Sequence, residues 1–244
     1  KIAQIYLQDA DLLYGLQNNE GLIHFRRGDV AQALESYQHF FTYATARSNR
    51  LSEGIVKNNV AILRLASGDL AGAAKNLQES IAAWESWRSR LGSNDGYKVS
   101  IFETQNAPYM NLQKVYIAQQ RPEAALEIAE RGRARAFAEL LARRLTPSQP
   151  AFNSPTLPPN ITQIRTIAQQ HNATLVAYSI LSEQFSVQNR LQIQESDLLI
   201  WVIQPTGNII LRQVDLKPLW QQQKITLADL VSSSREVIGV QGRG

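Results

Sequence analysis

The pattern of apolar and polar positions changes character once along this chain. Up to about residue 145 it reads as helix pairs, at about 12–27 with 29–48, 52–67 with 69–91, and 97–119 with 122–145. The partners are separated by Gly28-Asp29, Gly68-Asp69 and Arg121-Pro122. Glycine can end a helix in the left-handed conformation, aspartate can cap the next one, and proline fits a first turn. Beyond residue 160 the pattern shortens. Asn160 and Gln163 have the spacing of a capping box and open a short helix to His171. Residues 174–181 and 198–203 are continuous apolar runs, the mark of strands covered on both faces. Pro205, Gly207 and Asn208 supply a turn, and 209–215 returns as the second arm of a hairpin. Between the first two runs, Phe185, Val187, Leu191 and Ile193 alternate with polar residues about Asn189-Arg190, which leaves a small hairpin flap or a disordered loop open. A last helix begins at Thr226 with Leu227, Leu230, Val231, Ser234, Val237 and Ile238 on one stripe.

The helical part repeats. Asn19, Gly21, Gly28-Asp29 and Ala33 return forty residues later as Asn59, Ala61, Gly68-Asp69 and Ala73. A looser third copy follows fifty-two residues on, at Asn111, Gln113, Gln120-Arg121 and Ala125, with its extra length around the turn 92–96. One helix pair cannot bury its own apolar face, so such a period predicts a solenoid, and a solenoid offers a long binding surface more than it offers chemistry. The recurring alanines are small where two helices cross closely. Residues 1–9 match 41–49 by the same shift and read as the last turns of a repeat whose first half is missing, so the chain looks like a piece of a longer protein. Residues 147–160 are a proline-rich linker. They divide a repeat domain at 1–146 from an α/β segment at 161–244 whose strands lack enough covering elements.

Composition removes several function classes. The chain has no cysteine, hence no disulfide, no thiolate metal site and no thiol nucleophile. The net charge is +4, but residues 1–146 hold eighteen Lys and Arg against fifteen Asp and Glu, and the remainder seven against six. That interleaving gives no footprint for nucleic acid. Arg131, Arg133, Arg135, Arg143 and Arg144 form the densest basic stretch, and Glu127, Glu130 and Glu139 lie within a turn of several of them, so pairing within the helix is expected. No signal peptide and no membrane-length apolar run is present, which suits a cytoplasmic protein.

Residues 1–145 resemble the tetratricopeptide repeat. The marks are Asn-x-Gly/Ala at 19–21 and 59–61, Gly-Asp at 28–29 and 68–69, and Ala33, Ala73 and Ala125. Residues 125–141 resemble the segment that closes the repeats in bacterial tetratricopeptide–CHAT proteins, CHAT being a caspase-like domain, and 172–180, 198–207 and 238–244 are similar to the start of that domain. The resemblance implies a mainly α protein: a tetratricopeptide solenoid followed by a small, truncated α/β segment of a caspase-like fold. In that family a His–Cys dyad cuts partner proteins, downstream of the segments matched here. His171 precedes the first strand and cysteine is absent, so no catalytic residue carries over, and this chain is expected not to be an enzyme.

Asn19, Asn59 and Asn111 share one register on the first helices, which line the concave face in tetratricopeptide folds. Side-chain amides both donate and accept, so these three could clamp an extended peptide, or equally could tie neighbouring helices together. Leu22, Ile62 and Lys114 stand one turn further on and would set what the groove prefers. The expected partner is therefore a peptide or protein, not nucleic acid or a membrane. A second copy of the chain joined through the incomplete sheet is a further possibility. His24, His39 and His171 have no metal-ligand spacing, and neither metal nor cofactor is expected. Trp84, Trp87 and Trp201 read as core, with an exposed Trp84–Trp87 edge as the alternative. Glycines 239, 242 and 244 follow a helix, which does not fit a nucleotide loop, and Ser232–Ser234 has no histidine in sequence reach.

Overall fold

The computed structural model describes residues 2–89, 95–145, 159–187 and 190–237. The chain divides into two compact units, Lys1–Pro158 and Pro159–Gly244. The linker residues 146–158, the turn at 90–94 and the tail at 238–244 lie outside the described residues, as do Gln188 and Asn189.

The first unit holds α1 (Ile2–Arg27), α2 (Val30–Ala46), α3 (Arg50–Ala66), α4 (Leu70–Ser89), α5 (Asp95–Ala118) and α6 (Pro122–Leu145). Each helix packs on the next, and α3 also touches α1 and α5, which is how stacked helix pairs share one core. Helix α1 corrects one expectation. Residues 1–9 are not the end of a separate helix, because α1 runs unbroken from Ile2. Residues 8–11, Gln-Asp-Ala-Asp, contain no glycine or proline to stop it.

The helix junctions follow the turn residues in most respects. Gly28 and Gly68 have φ of +85° and +82°, a conformation that costs other residues energy. Asp69 caps α4 as expected, its Oδ1 accepting from Gly72 N at 2.8 Å. Asp29 does not cap α2: its side chain makes no cap bond, and its carboxylate instead lies 3.8 Å from His24 Nδ1. A further cap, Asn49 accepting from Ser52 N at 3.1 Å, stands at an unanticipated position and starts α3 two residues early.

A buried cluster of Ala33, Tyr37, Phe40, Val56 and Leu63 joins α2 to α3. Ala33, Ala73 and Ala125 are all fully buried, as close crossings require. Trp84 is core. Its indole lies against the bare backbone of Gly54, where an added methyl would come within 1.8 Å of Cδ1. Ser80 Oγ donates to Gly54 O at 2.7 Å and closes the same contact.

The second unit contains α7 (Ile161–Gln170), β1 (Leu175–Val187), β2 (Arg190–Ile203), β3 (Ile209–Asp215), a short π-helical turn at Leu219–Gln223 and α8 (Leu227–Val237). Asn160 and Gln163 form the expected capping box, both bonds at 2.9 Å. The sheet is an antiparallel meander in the order β1-β2-β3. Of the two alternatives for this segment, the hairpin is the one found, as an extension of the β1–β2 pair. The alternating residues about 189–190 extend β1 and β2 in continuous register from Leu175↔Ile203 to Val187↔Arg190, with one bulge between Leu181 and Ser182. The bulge turns Ser196 inward, where its hydroxyl donates to Leu181 O at 3.2 Å.

One face of this sheet is buried, through Leu181, Leu199, Trp201 and Ile203, together with Ile164 and Ala168 of α7. Arg165 Nε and Gln169 Nε2 donate to Gly207 O and Thr206 O and tie α7 to the β2–β3 turn. On the other face Val176, Tyr178, Ile180 and Val214 are exposed, as expected of apolar strands that lack enough covering elements. Leu230, Val231 and Val237 on the stripe of α8 are exposed as well.

Candidate functional site

The first helices α1, α3 and α5 carry a connected set of side-chain amides. Asn59 Nδ2 donates to Asn18 Oδ1 at 2.9 Å, and Asn111 Nδ2 donates to Asn58 Oδ1 at 3.0 Å. The two bonds are one contact used twice: the asparagine at the 19/59/111 register reaches the residue one step earlier in the preceding repeat. Asn58 and Asn59 also approach one another, at 3.5 Å. The singled-out residues therefore do not stand alone. Asn18 and Asn58 were missed, and the doubled Asn18-Asn19 and Asn58-Asn59 were the signal that could have found them.

The amides keep spare capacity. A primary amide offers two donors and a carbonyl with two lone pairs, and each of these side chains uses only part of that set within the protein. Asn19 is exposed and no described residue bonds its amide, while Asn59 and Asn111 are half-buried. Leu22, Ile62 and Lys114 are half-buried on the same three helices, one turn on. The row thus offers hydrogen-bonding groups beside a short apolar strip with a lysine at one end.

The second helices brace this row. Tyr109 Oη donates to Glu85 Oε1 at 2.8 Å, and Arg131 grips the same carboxylate through Nε and Nη2 at 2.8–3.1 Å. One carboxylate so fastens α4, α5 and α6. The expectation of pairing within α6 fails for Arg131 and holds for Arg133, which pairs with Glu130. Arg135, Glu139, Arg143 and Arg144 have side chains outside the described set. Lys57 pairs with Glu79 and lies 4.7 Å from the centre of the Phe41 ring, linking α3 to both neighbours. Gln78 Nε2 donates to Tyr116 Oη at 2.8 Å, and Arg121 covers that ring from 4.6 Å. Burial pushes the Tyr37 phenol up to about 12, against a smaller lowering by the Arg26 charge.

Chemistry is sparse by comparison. His24 is half-buried between Glu20 and Asp29, His39 is exposed beside Glu35, and His171 is the C-terminal cap of α7. Among the described residues, no group of three or more His, Asp or Glu side chains is placed to hold a metal ion. Among them, too, no helix is long and apolar enough to cross a membrane.

No family model and no solved structure matches the chain. Two curated proteins do, tetratricopeptide repeat protein 28 of Mus musculus and of Homo sapiens, each 33% identical over 131 residues, or 54% of this chain. The chain spans only 5% of the length of either relative. A mostly helical chain of stacked pairs with a small three-stranded sheet near its end, similar over half its length to a tetratricopeptide repeat protein, is thereby supported as a helical-repeat protein of the tetratricopeptide kind.

Proposed function

We propose that this chain is a protein-interaction scaffold that receives an extended peptide, or a partner's extended tail, along the first-helix row. The observation that carries the reading is the pair of equivalent amide bonds, Asn59 to Asn18 and Asn111 to Asn58. They fix Asn59 and Asn111 against the preceding repeat, beside Ile62 and Lys114, and Asn19 stands at the same register on α1 beside Leu22. An extended backbone presents donors and acceptors at regular spacing, and a row of fixed amides with unused valences matches it. Lys114 favours an acidic side chain or a carboxylate at one end of the peptide, and Leu22 and Ile62 favour apolar residues further along.

The test is selection of a displayed random-peptide library on the full chain, followed by affinity measurement. Peptides with an acidic residue and apolar residues in fixed register should emerge. Lys114→Glu and Ile62→Glu, compared with the parent under conditions where all three chains are folded, should each weaken them at least tenfold. Peptides that bind both variants as well as the parent would place the site elsewhere.

The likeness of 125–141, 172–180, 198–207 and 238–244 to tetratricopeptide–CHAT proteins supports a narrower reading, in which the chain is the regulatory front of a caspase-like cysteine peptidase. The open outer face of the sheet is compatible with further elements of such a domain. On either reading this polypeptide, which contains no thiol, should cleave nothing in a peptide library at neutral pH. Cleavage that survives a second independent purification would overturn that.

A further inference from the structure

We infer that the outer face of α1 and α2 is a docking face for another helix pair of the same repeat, with Asn19 as its register pin. The argument is a comparison of the chain with itself. Three positions recur in the three copies: 16, 56 and 108; 23, 63 and 115; 34, 74 and 126. In the second and third copies they are Val56, Leu63, Ala74, Pro108, Val115 and Leu126, every one of them less than a tenth exposed. In the first copy they are Leu16, Ile23 and Leu34, exposed by 55%, 48% and 40%. The same positions, with apolar residues, are core twice and surface once.

Two of the three have a named cover in the second copy. Val56 and Leu63 pack with Ala33, Tyr37 and Phe40 of α2, the second helix of the preceding pair. The polar register agrees. Asn59 and Asn111 each donate to an asparagine one repeat back, whereas Asn19, their counterpart, bonds no described residue. An apolar patch and an idle amide on one face, each the copy of a used one, specify the occupant. It is a helix pair whose second helix presents a small residue and two aromatics at the spacing of Ala33, Tyr37 and Phe40. Its first helix offers an amide oxygen where Asn18 stands. Contiguous exposed apolar residues of this kind mark an interaction surface, and in a stacked array each pair is stabilised by the interface with its neighbour.

The absence of cysteine makes the test clean. Ile23→Cys in the full chain gives a single thiol, which should react with a maleimide close to the rate of an exposed thiol. Leu63→Cys, its buried counterpart, should react at least a hundredfold more slowly. The probe for the occupant is a tandem duplication of residues 10–49 within the full chain, which sets a copy of α2 against α1. The thiol at position 23 of the second copy should then slow at least tenfold, and the melting temperature should rise by several degrees. Asn19→Ala in that second copy should lower the melting temperature of the duplicated chain by a few degrees, yet leave the parent chain within one degree. A duplicated chain that does not fold, or whose thiol stays fast, overturns the inference. Protection of the Ile23→Cys thiol in the unduplicated chain that grows with protein concentration also overturns it, because the occupant would then be a second copy.

Discussion

At position 59 one amide serves two partners. Its bond to Asn18 makes it structural, and its unused valences make it a candidate for binding. Asn59→Ala should therefore cost stability, about 0.5–1.5 kcal/mol, in addition to any loss of peptide affinity. Thermal melting of the variant checks this. An unchanged melting point would show that the helix-to-helix bond contributes nothing in solution. Glu85 is a stronger case, because Glu85→Gln weakens a bidentate charged grip and a tyrosine bond at once, and urea unfolding should show a loss of roughly 1–3 kcal/mol. Tyr37 adds a pH dependence. Its folded-state pKa near 12 lies above the ordinary 10.0, so the unfolded chain ionises first. Stability from this group is whole below pH 10 and is lost as pH rises from 10 to 12; Tyr37→Phe should flatten that part of the profile. Residue-scale legibility was uneven. The asparagine register could be read because a repeat marks positions three times over. The Glu85 contact could not, because Tyr109 and Arg131 are brought to it only by the packing of three helices.

At the scale of elements, turn chemistry decided most boundaries, and its exceptions are informative. Gly-Asp occurs twice, yet only Asp69 caps its helix, while Asp29 turns toward His24. Asp69→Ala should cost about 1 kcal/mol, and Asp29→Ala much less, measured side by side in urea. Equal losses would mean that Asp29 caps α2 in solution. Helix α1 ran longer than expected because a repeat match, unlike a glycine or a proline, is no signal for a helix to stop. The long β1–β2 hairpin is hard to read whole from sequence because the polar residues between its apolar runs resemble a loop. Their alternation is that of a strand pair with one face in water, and the cross-strand register carries it through.

At the scale of the whole molecule, the two units differ in how completely they bury what they contain. In the first, the exposed large apolar side chains among the described residues, Leu16, Ile23, Val30 and Leu34, lie on α1 and α2. In the second, apolar exposure covers a sheet face, where the register aligns Val176, Val202 and Ile210 in one row and Ile180, Leu198 and Val214 in another. The apolar runs themselves were plain in the sequence. Which side of them stays open depends on α7 covering one face only, and no local pattern encodes that. An open apolar face beside the free edge of β1 is a site for association, either with further structure or with a second copy. Residues 1–146 alone should therefore be soluble and helical, whereas 159–244 alone should bind a hydrophobic dye and aggregate. Converting Val176 and Ile180 together to lysine in the full chain should reduce dye binding and self-association. It should change stability by less than about 1 kcal/mol, because neither side chain lies in the core. Leu199→Lys, one strand across and fully buried, should unfold the second unit. Dye fluorescence with sedimentation separates these cases. A 159–244 fragment that stays monomeric, melts cooperatively and binds no dye would mean that the exposed rows need no cover, and the sheet would then stand as a finished domain.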